Sequence, residues 1–239
     1  MITEKRFVSS HHAFWRELLP MGEHYIRTVN QELPRFCEPL KSYSSPRFHG
    51  IVNELAFRLF VRSTREDSSP EDLGAQAIAD ELAGALAFIK SFRQHGRGPL
   101  PTPGEVELTE AIMLAQRTAA FFEQSSCGPL LTQPRFPGCG WLSECEGDVL
   151  ASTVLYEIKA GDRPFRMQDV KQVLVYCALN FAAKLYDIGD ICLVNPREGR
   201  YFSESLSQLC ELISGRSAMH VLSDVVEYAS QSDTGYGTG

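Results

Sequence analysis

The chain has 239 residues, 44% of them hydrophobic, and a formal net charge of −7, so it reads as globular with a sizeable core. It contains no apolar run long enough to span a membrane, and residues 1–10 carry Glu4, Lys5 and Arg6 without the apolar stretch of a signal peptide, so a soluble, cytoplasmic protein is expected. The acidic balance argues against a protein that coats nucleic acid through a broad basic surface, while leaving room for an enzyme with a local basic rim.

Residues 1–125 read as a mainly helical region. A periodic apolar set over residues 11–33 is broken at Pro20, and residues 48–62 (FHGIVNELAFRLFVR) form a second apolar helix. Ser69, Pro70, Glu71 and Asp72 then give a helix start, with Ser69 as N-cap. Leu73, Ala77, Leu82, Leu86 and Ile89 carry that helix to about Arg93, and the Gly/Pro-rich residues 96–104 stop it. A further helix over about 106–124 presents Leu108, Ile112, Ala115, Ala119 and Phe122 on one face.

From Pro129 the texture changes to short apolar runs separated by turn residues, including PRFPGCGW, which marks strands. Asp148-Val-Leu, the small turn Ala151-Ser-Thr153 and Val154-Leu-Tyr-Glu-Ile-Lys159 read as a hairpin. An amphipathic helix over about 167–186, a strand over 191–194 ended by Asn195-Pro196, and two terminal helices follow. The polar, Gly-rich residues 232–239 read as a disordered tail. The seven cysteines (37, 127, 139, 145, 177, 192 and 210) are scattered and odd in number, which predicts free thiols. The nearest grouping, Cys127, Cys139 and Cys145, lacks the ligand number and spacing of a structural zinc site.

In the strand ending at Lys159, alternation puts Glu157 and Lys159 on one face and Tyr156 and Ile158 on the other. Folding back across the turn at 151–153 brings Asp148 near Glu157. Two carboxylates at such a separation repel unless a cation lies between them, and acid oxygens with the backbone carbonyl of Ile158 suit Mg²⁺ or Mn²⁺. A metal there would polarise a phosphodiester, with Lys159 positioning water or stabilising developing charge. Acid-x-lysine is also a common pattern on exposed edge strands, and spacing alone does not choose between the two.

Gly147-Asp148-Val-Leu followed by Leu155-Tyr-Glu-Ile-Lys-Ala-Gly161 resembles the PD-(D/E)XK nuclease superfamily, and Gln172-Val-Leu-Val-Tyr176 on the next helix resembles the glutamine-x-x-x-tyrosine motif of its RecB-like exonuclease branch. Residues four apart share a helix face, so Gln172 and Tyr176 can both look back at the sheet edge. The resemblance covers residues 130–195 and, weakly, 46–62. It implies an α/β restriction-endonuclease-like core, a four-stranded mixed sheet flanked by helices, over 126–231. Residues 1–125 would then hold the first core helix (46–62) and a helical insertion (70–124).

By the same resemblance Asp148, Glu157, Lys159, Gln172 and Tyr176 are the catalytic set, with Asp148, Glu157 and the Ile158 carbonyl on Mg²⁺ or Mn²⁺. An upstream glutamate completes the metal site in many family members; Glu54 is the first candidate, Glu107, Glu110 and Glu123 its competitors. No iron–sulfur cluster is expected, because no close cysteine trio follows Tyr176. Arg163, Arg166, Lys171 and Arg197 are candidate phosphate contacts.

The implied activity is metal-dependent hydrolysis of DNA, by a subunit of an anti-phage defence or restriction system, with an ATPase or helicase partner and homo-oligomerisation as further options. The alternatives are a DNA-repair nuclease or a non-catalytic α/β subunit binding nucleic acid or a partner protein. Endo- versus exonucleolytic cutting is left open.

Overall fold

The computed structural model describes residues 1–91, 100–125 and 128–231. Cys127, residues 232–239 and part of the 96–104 segment lie outside the described residues, so the readings made on them have no structural counterpart.

Three short helices open the chain: α1 (Glu4–Ser10), α2 (His12–Leu18) and α3 (Gly22–Val29). Thr3 caps α1 by accepting the Arg6 N–H at 3.3 Å, and Pro20 separates α2 from α3 as its missing N–H requires. Then come α4 (His49–Arg65), α5 (Ala75–Ser91) and α6 (Glu105–Ser125). Ser69 does not cap α5. It precedes a 3₁₀ turn at Pro70–Asp72, after which Leu73 goes extended and is buried in the core. Burying that leucine outweighs continuing the helix from the expected start.

The strands follow as β1 (Leu130–Thr132), β2 (Arg135–Phe136), β3 (Cys145–Glu146), β4 (Val149–Ala151) and β5 (Val154–Ile158). Helix α7 (Met167–Ala183), β6 (Asp190–Asn195), β7 (Arg200–Ser205), α8 (Leu206–Ser214) and α9 (Ala218–Ser230) complete the chain. The main sheet is mixed, with five strands in the order β1-β4-β5-β6-β7, and β2 and β3 form a separate two-stranded ribbon. β5 and β6 are parallel, joined through α7, and the other pairs are antiparallel.

The four-stranded expectation is therefore corrected: β7 is the missing strand. Its sequence, RYFSES, offers one large apolar residue to each face, Tyr201 and Phe202, too weak a period to register in a sequence. Asn195 ends β6 as expected, and the chain returns through Gly199 at φ 64°, a conformation glycine adopts without a Cβ penalty.

Alternation along the strands sorts the core into two layers. Leu150, Leu155, Ile191, Leu193 and Phe202 face α1, α2, α3, α7, α8 and α9. Val149, Ala151, Tyr156, Cys192 and Val194 face α4 and α6, with α5 packed outside. On that second face the Phe122 ring stacks on Phe60 at 5.4 Å and meets Tyr156 edge-on at 4.9 Å. The N-terminal helices thus contribute to both covering layers of the sheet, sharing the first with α7, α8 and α9. α7 is buried almost all round, as a crossover helix packed between sheet and outer helices must be. Among the described residues no helix is long and apolar enough to cross a membrane, and the six described cysteines are free.

Candidate active site

The β4–β5 register pairs Val149 with Tyr156, so one step further it sets Asp148 opposite Glu157 on the face that meets α7. Beyond Val149 the backbone ladder stops, because Gly147 N–H turns away to Pro134 O at 2.9 Å. Asp148 Oδ2 takes over and accepts the Ile158 N–H at 2.6 Å. Gly147 allows this exit to be tight: a Cβ there would stand 3.1 Å from the Phe136 ring, which itself stacks on Tyr176 at 5.4 Å.

Lys159 donates to Glu157 Oε1 at 2.6 Å and to Gln172 Oε1 at 2.8 Å. Gln172 Nε2 in turn donates to the Tyr176 hydroxyl at 2.7 Å and to Glu4 Oε1 at 3.4 Å. An ammonium only donates and a carboxylate only accepts, so Lys159 and Glu4 demand the same orientation of the Gln172 amide. Tyr176 accepts from that amide, which leaves its own proton to donate. The five residues read from the sequence as one set are thus brought together, and Glu4 joins them. No pattern marks Glu4 in the sequence; its role follows from where α1 packs.

Glu157 is 4% exposed, and its Oε2 is buried without a hydrogen-bond partner among the described residues. Burial, reinforced by the Glu157 charge, pushes the Asp148 carboxyl up to about 8. Burial opposes the charge on Lys159, but Glu157 and Asp148 outweigh it and hold the ammonium above its ordinary range. Tyr176 is raised well above a free phenol, by burial first and then by Glu157. Asp148 and Glu157 thus crowd one recess, where Lys159 bonds Glu157 Oε1 while Glu157 Oε2 is left over.

These groups line a cavity of about 760 Å³ at the end of β5, where α4 and α7 overhang the sheet from opposite faces. Glu54 lines it too, with Oε1 on Arg58 Nε at 2.8 Å; burial raises its carboxyl despite Arg58. Among the described residues no three His, Cys, Asp or Glu side chains gather closely enough to hold a metal by themselves. The competing Glu110 sits elsewhere. Its carboxylate accepts from Ser44 N, Tyr43 N and Arg197, and these bonds overcome its burial and hold it down at about 2.

The expected phosphate contacts lie outside this cavity. Arg197 is 2% exposed and bonds Glu110 at 2.6 Å, Asn53 Oδ1 at 3.1 Å and Ala160 O at 2.9 Å. It clamps the exit of β5 from beneath, and Asn195 holds Gly161 O beside it at 2.8 Å. Arg163 is forked onto Asp169 at 2.7 and 2.8 Å, and Lys171 lies over the Trp15 ring at 5.9 Å. None of these three, nor Arg166, lines the cavity; its cations are Lys5, Arg58, Arg62, Arg65 and Lys159. Comparison with protein-family models, with curated proteins and with solved structures gives no match to this chain.

Proposed function

We propose that the cavity at the end of β5 is the active site of a divalent-metal phosphodiesterase, a nuclease with DNA as substrate. The observation that carries this reading is the orphaned Glu157 Oε2 beside the raised Asp148 carboxyl. A buried carboxylate oxygen without a donor costs free energy unless a cation completes it.

The donor set fits Mg²⁺ or Mn²⁺: two acids, both oxygen ligands, with Ile158, whose backbone carbonyl is the further ligand expected, on the same cavity wall. Glu54 can add a further oxygen only by loosening its bond to Arg58. When bound, such an ion polarises a phosphoryl oxygen and acidifies a water. The chain's own groups do the rest. Asp148, whose carboxyl holds its proton through burial and the Glu157 charge, would release that proton to solvent as a cation takes its place, and Lys159 directs its ammonium at the oxygen that gains charge. Gln172, fixed by Glu4 and Tyr176, keeps Lys159 from swinging away.

One observation favours a second reading, a nucleic-acid-binding subunit without hydrolysis: no three-member cluster of metal-ligating side chains gathers among the described residues. One experiment separates the two. Purified protein is incubated with linear, circular and single-stranded DNA and with RNA, in Mg²⁺, Mn²⁺ or EDTA, beside Lys159→Ala and Asp148→Ala. Cleavage that needs the metal and both residues supports the nuclease; binding without cleavage in every condition supports the second reading.

A further inference from the structure

The cavity wall opposite the carboxylates is built by α4. Arg58, Arg62 and Arg65 all line it, at spacings of four and three residues and therefore along one helix face. Glu81 of α5 spans two of them, 3.8 Å from Arg58 and 3.5 Å from Arg62, while Glu54 and Glu66 take one Nε each at 2.8 and 2.7 Å. Gly84 of α5 leaves the space that the Arg58 guanidinium fills, since a Cβ there would stand 2.8 Å from its Nη1.

The row ends where chemistry is proposed. Arg65 bonds the Gln133 side chain at 2.7 Å, and Gln133 N–H is bonded to Asp148 O at 2.9 Å. Each guanidinium has five donors, more than these acids occupy. Phe57 and Phe88 line the same cavity, with Arg58 over the Phe88 ring at 5.8 Å. Basic groups tracking a backbone, interleaved with aromatic faces, make a platform for single strands.

Recess decides against a duplex. Glu157 and Tyr176 are 4% and 2% exposed, so a phosphate must enter the cavity to reach them, and about 760 Å³ is the scale of a small-ligand site. A duplex holds its phosphates on a stiff, wide cylinder; a splayed strand can insert a few nucleotides.

We propose that the Arg58–Arg62–Arg65 row is the backbone track of a single-stranded nucleic acid, whose phosphates displace Glu54, Glu66 and Glu81 and whose bases lie against Phe57 and Phe88. This rests on the nuclease reading of the same cavity and adds its substrate class.

The test is fluorescence anisotropy on full-length Asp148→Asn protein, with labelled oligothymidine of about 12 nucleotides and a blunt duplex of equal length. The single strand binds at least about tenfold tighter. Arg62→Ala and Arg65→Ala each weaken it about fivefold, and the double variant lowers the slope of log K against log salt by about 1.4. Arg62→Lys, which keeps a point charge for phosphate, retains most of the binding and shows that the loss is not unfolding. Glu81→Gln frees two arginines and tightens binding about threefold, whereas Arg216→Ala, on a residue outside the cavity paired with Asp224, changes nothing.

Equal affinity for the duplex, an unchanged salt slope in the Arg62/Arg65 double variant, or weaker binding by Glu81→Gln overturns the proposal. Failure is distinguishable from failure of the nuclease reading. Arginine-dependent strand binding without metal-dependent cleavage by wild type leaves the track and removes the nuclease; cleavage indifferent to these arginines does the reverse.

Discussion

Replacing Asp148 by Asn should stabilise the metal-free protein, the opposite of what most buried substitutions do. Asp148 has its carboxyl pushed to about 8 by burial and by Glu157, against about 3.8 for a free aspartate. A folded-state value above the unfolded one means that the native state holds the proton more tightly. The stability this group contributes is complete below about pH 4 and is lost as pH rises towards 8.

Each pH unit is worth about 1.4 kcal/mol, so the ceiling on that loss at pH 8 is about 5 kcal/mol. Water entering the cavity and movement of Lys159 reduce it, and about 2 kcal/mol is expected. Asparagine keeps an oxygen for the Ile158 N–H and does not ionise. Urea unfolding in EDTA at pH 5, 6, 7 and 8 should therefore show wild type weakening with pH while Asp148→Asn stays level, the gap opening to about 2 kcal/mol. Repeated in Mg²⁺ at a hundred times its dissociation constant, wild type should regain about 2.7 kcal/mol and the variant far less. An Asn variant less stable than wild type at pH 8 in EDTA, or equal Mg²⁺ stabilisation of both proteins, refutes the reasoning.

Arg197→Ala leaves Glu110 buried beside an empty space and should cost about 3–5 kcal/mol in chemical unfolding, far more than Arg216→Ala at the exposed pair with Asp224. Gly147→Ala drives a methyl against Phe136; a loss of about 1–3 kcal/mol is expected in thermal unfolding, and no loss would mean that this turn has slack. Tyr176→Phe removes the 2.7 Å partner of Gln172. It should lower cleavage about 10-fold to 100-fold while changing stability by only about 1 kcal/mol, measured by turnover and unfolding on one preparation.

Legibility in the sequence differed between the two halves of the site. Asp148, Glu157 and Lys159 were readable because a strand's period of two and a short turn fix which side chains meet, and the register places Asp148 opposite Glu157 as that period requires. Gln172 and Tyr176 were readable because a helix puts residues four apart on one face; they bond each other. Glu4 was not, since α1 reaches the cavity by packing on the distant helix α7, which no local pattern encodes. Arg197 misled for a related reason: an arginine after a strand reads as surface, and only Glu110 and Asn53, brought from α6 and α4, make it a buried clamp. β7 escaped because its two aromatic residues point to opposite faces, and the 3₁₀ turn at Pro70–Asp72 because burial of Leu73 overrides a good capping sequence.

The most direct test of the account is a single-turnover cleavage assay on end-labelled DNA with wild type, Lys159→Ala and Glu157→Gln, in Mg²⁺ and in EDTA. The account predicts strand scission by wild type in Mg²⁺ alone, reduced by at least about a hundredfold in either variant. Scission that persists in EDTA, or that survives unchanged in both variants, would contradict it.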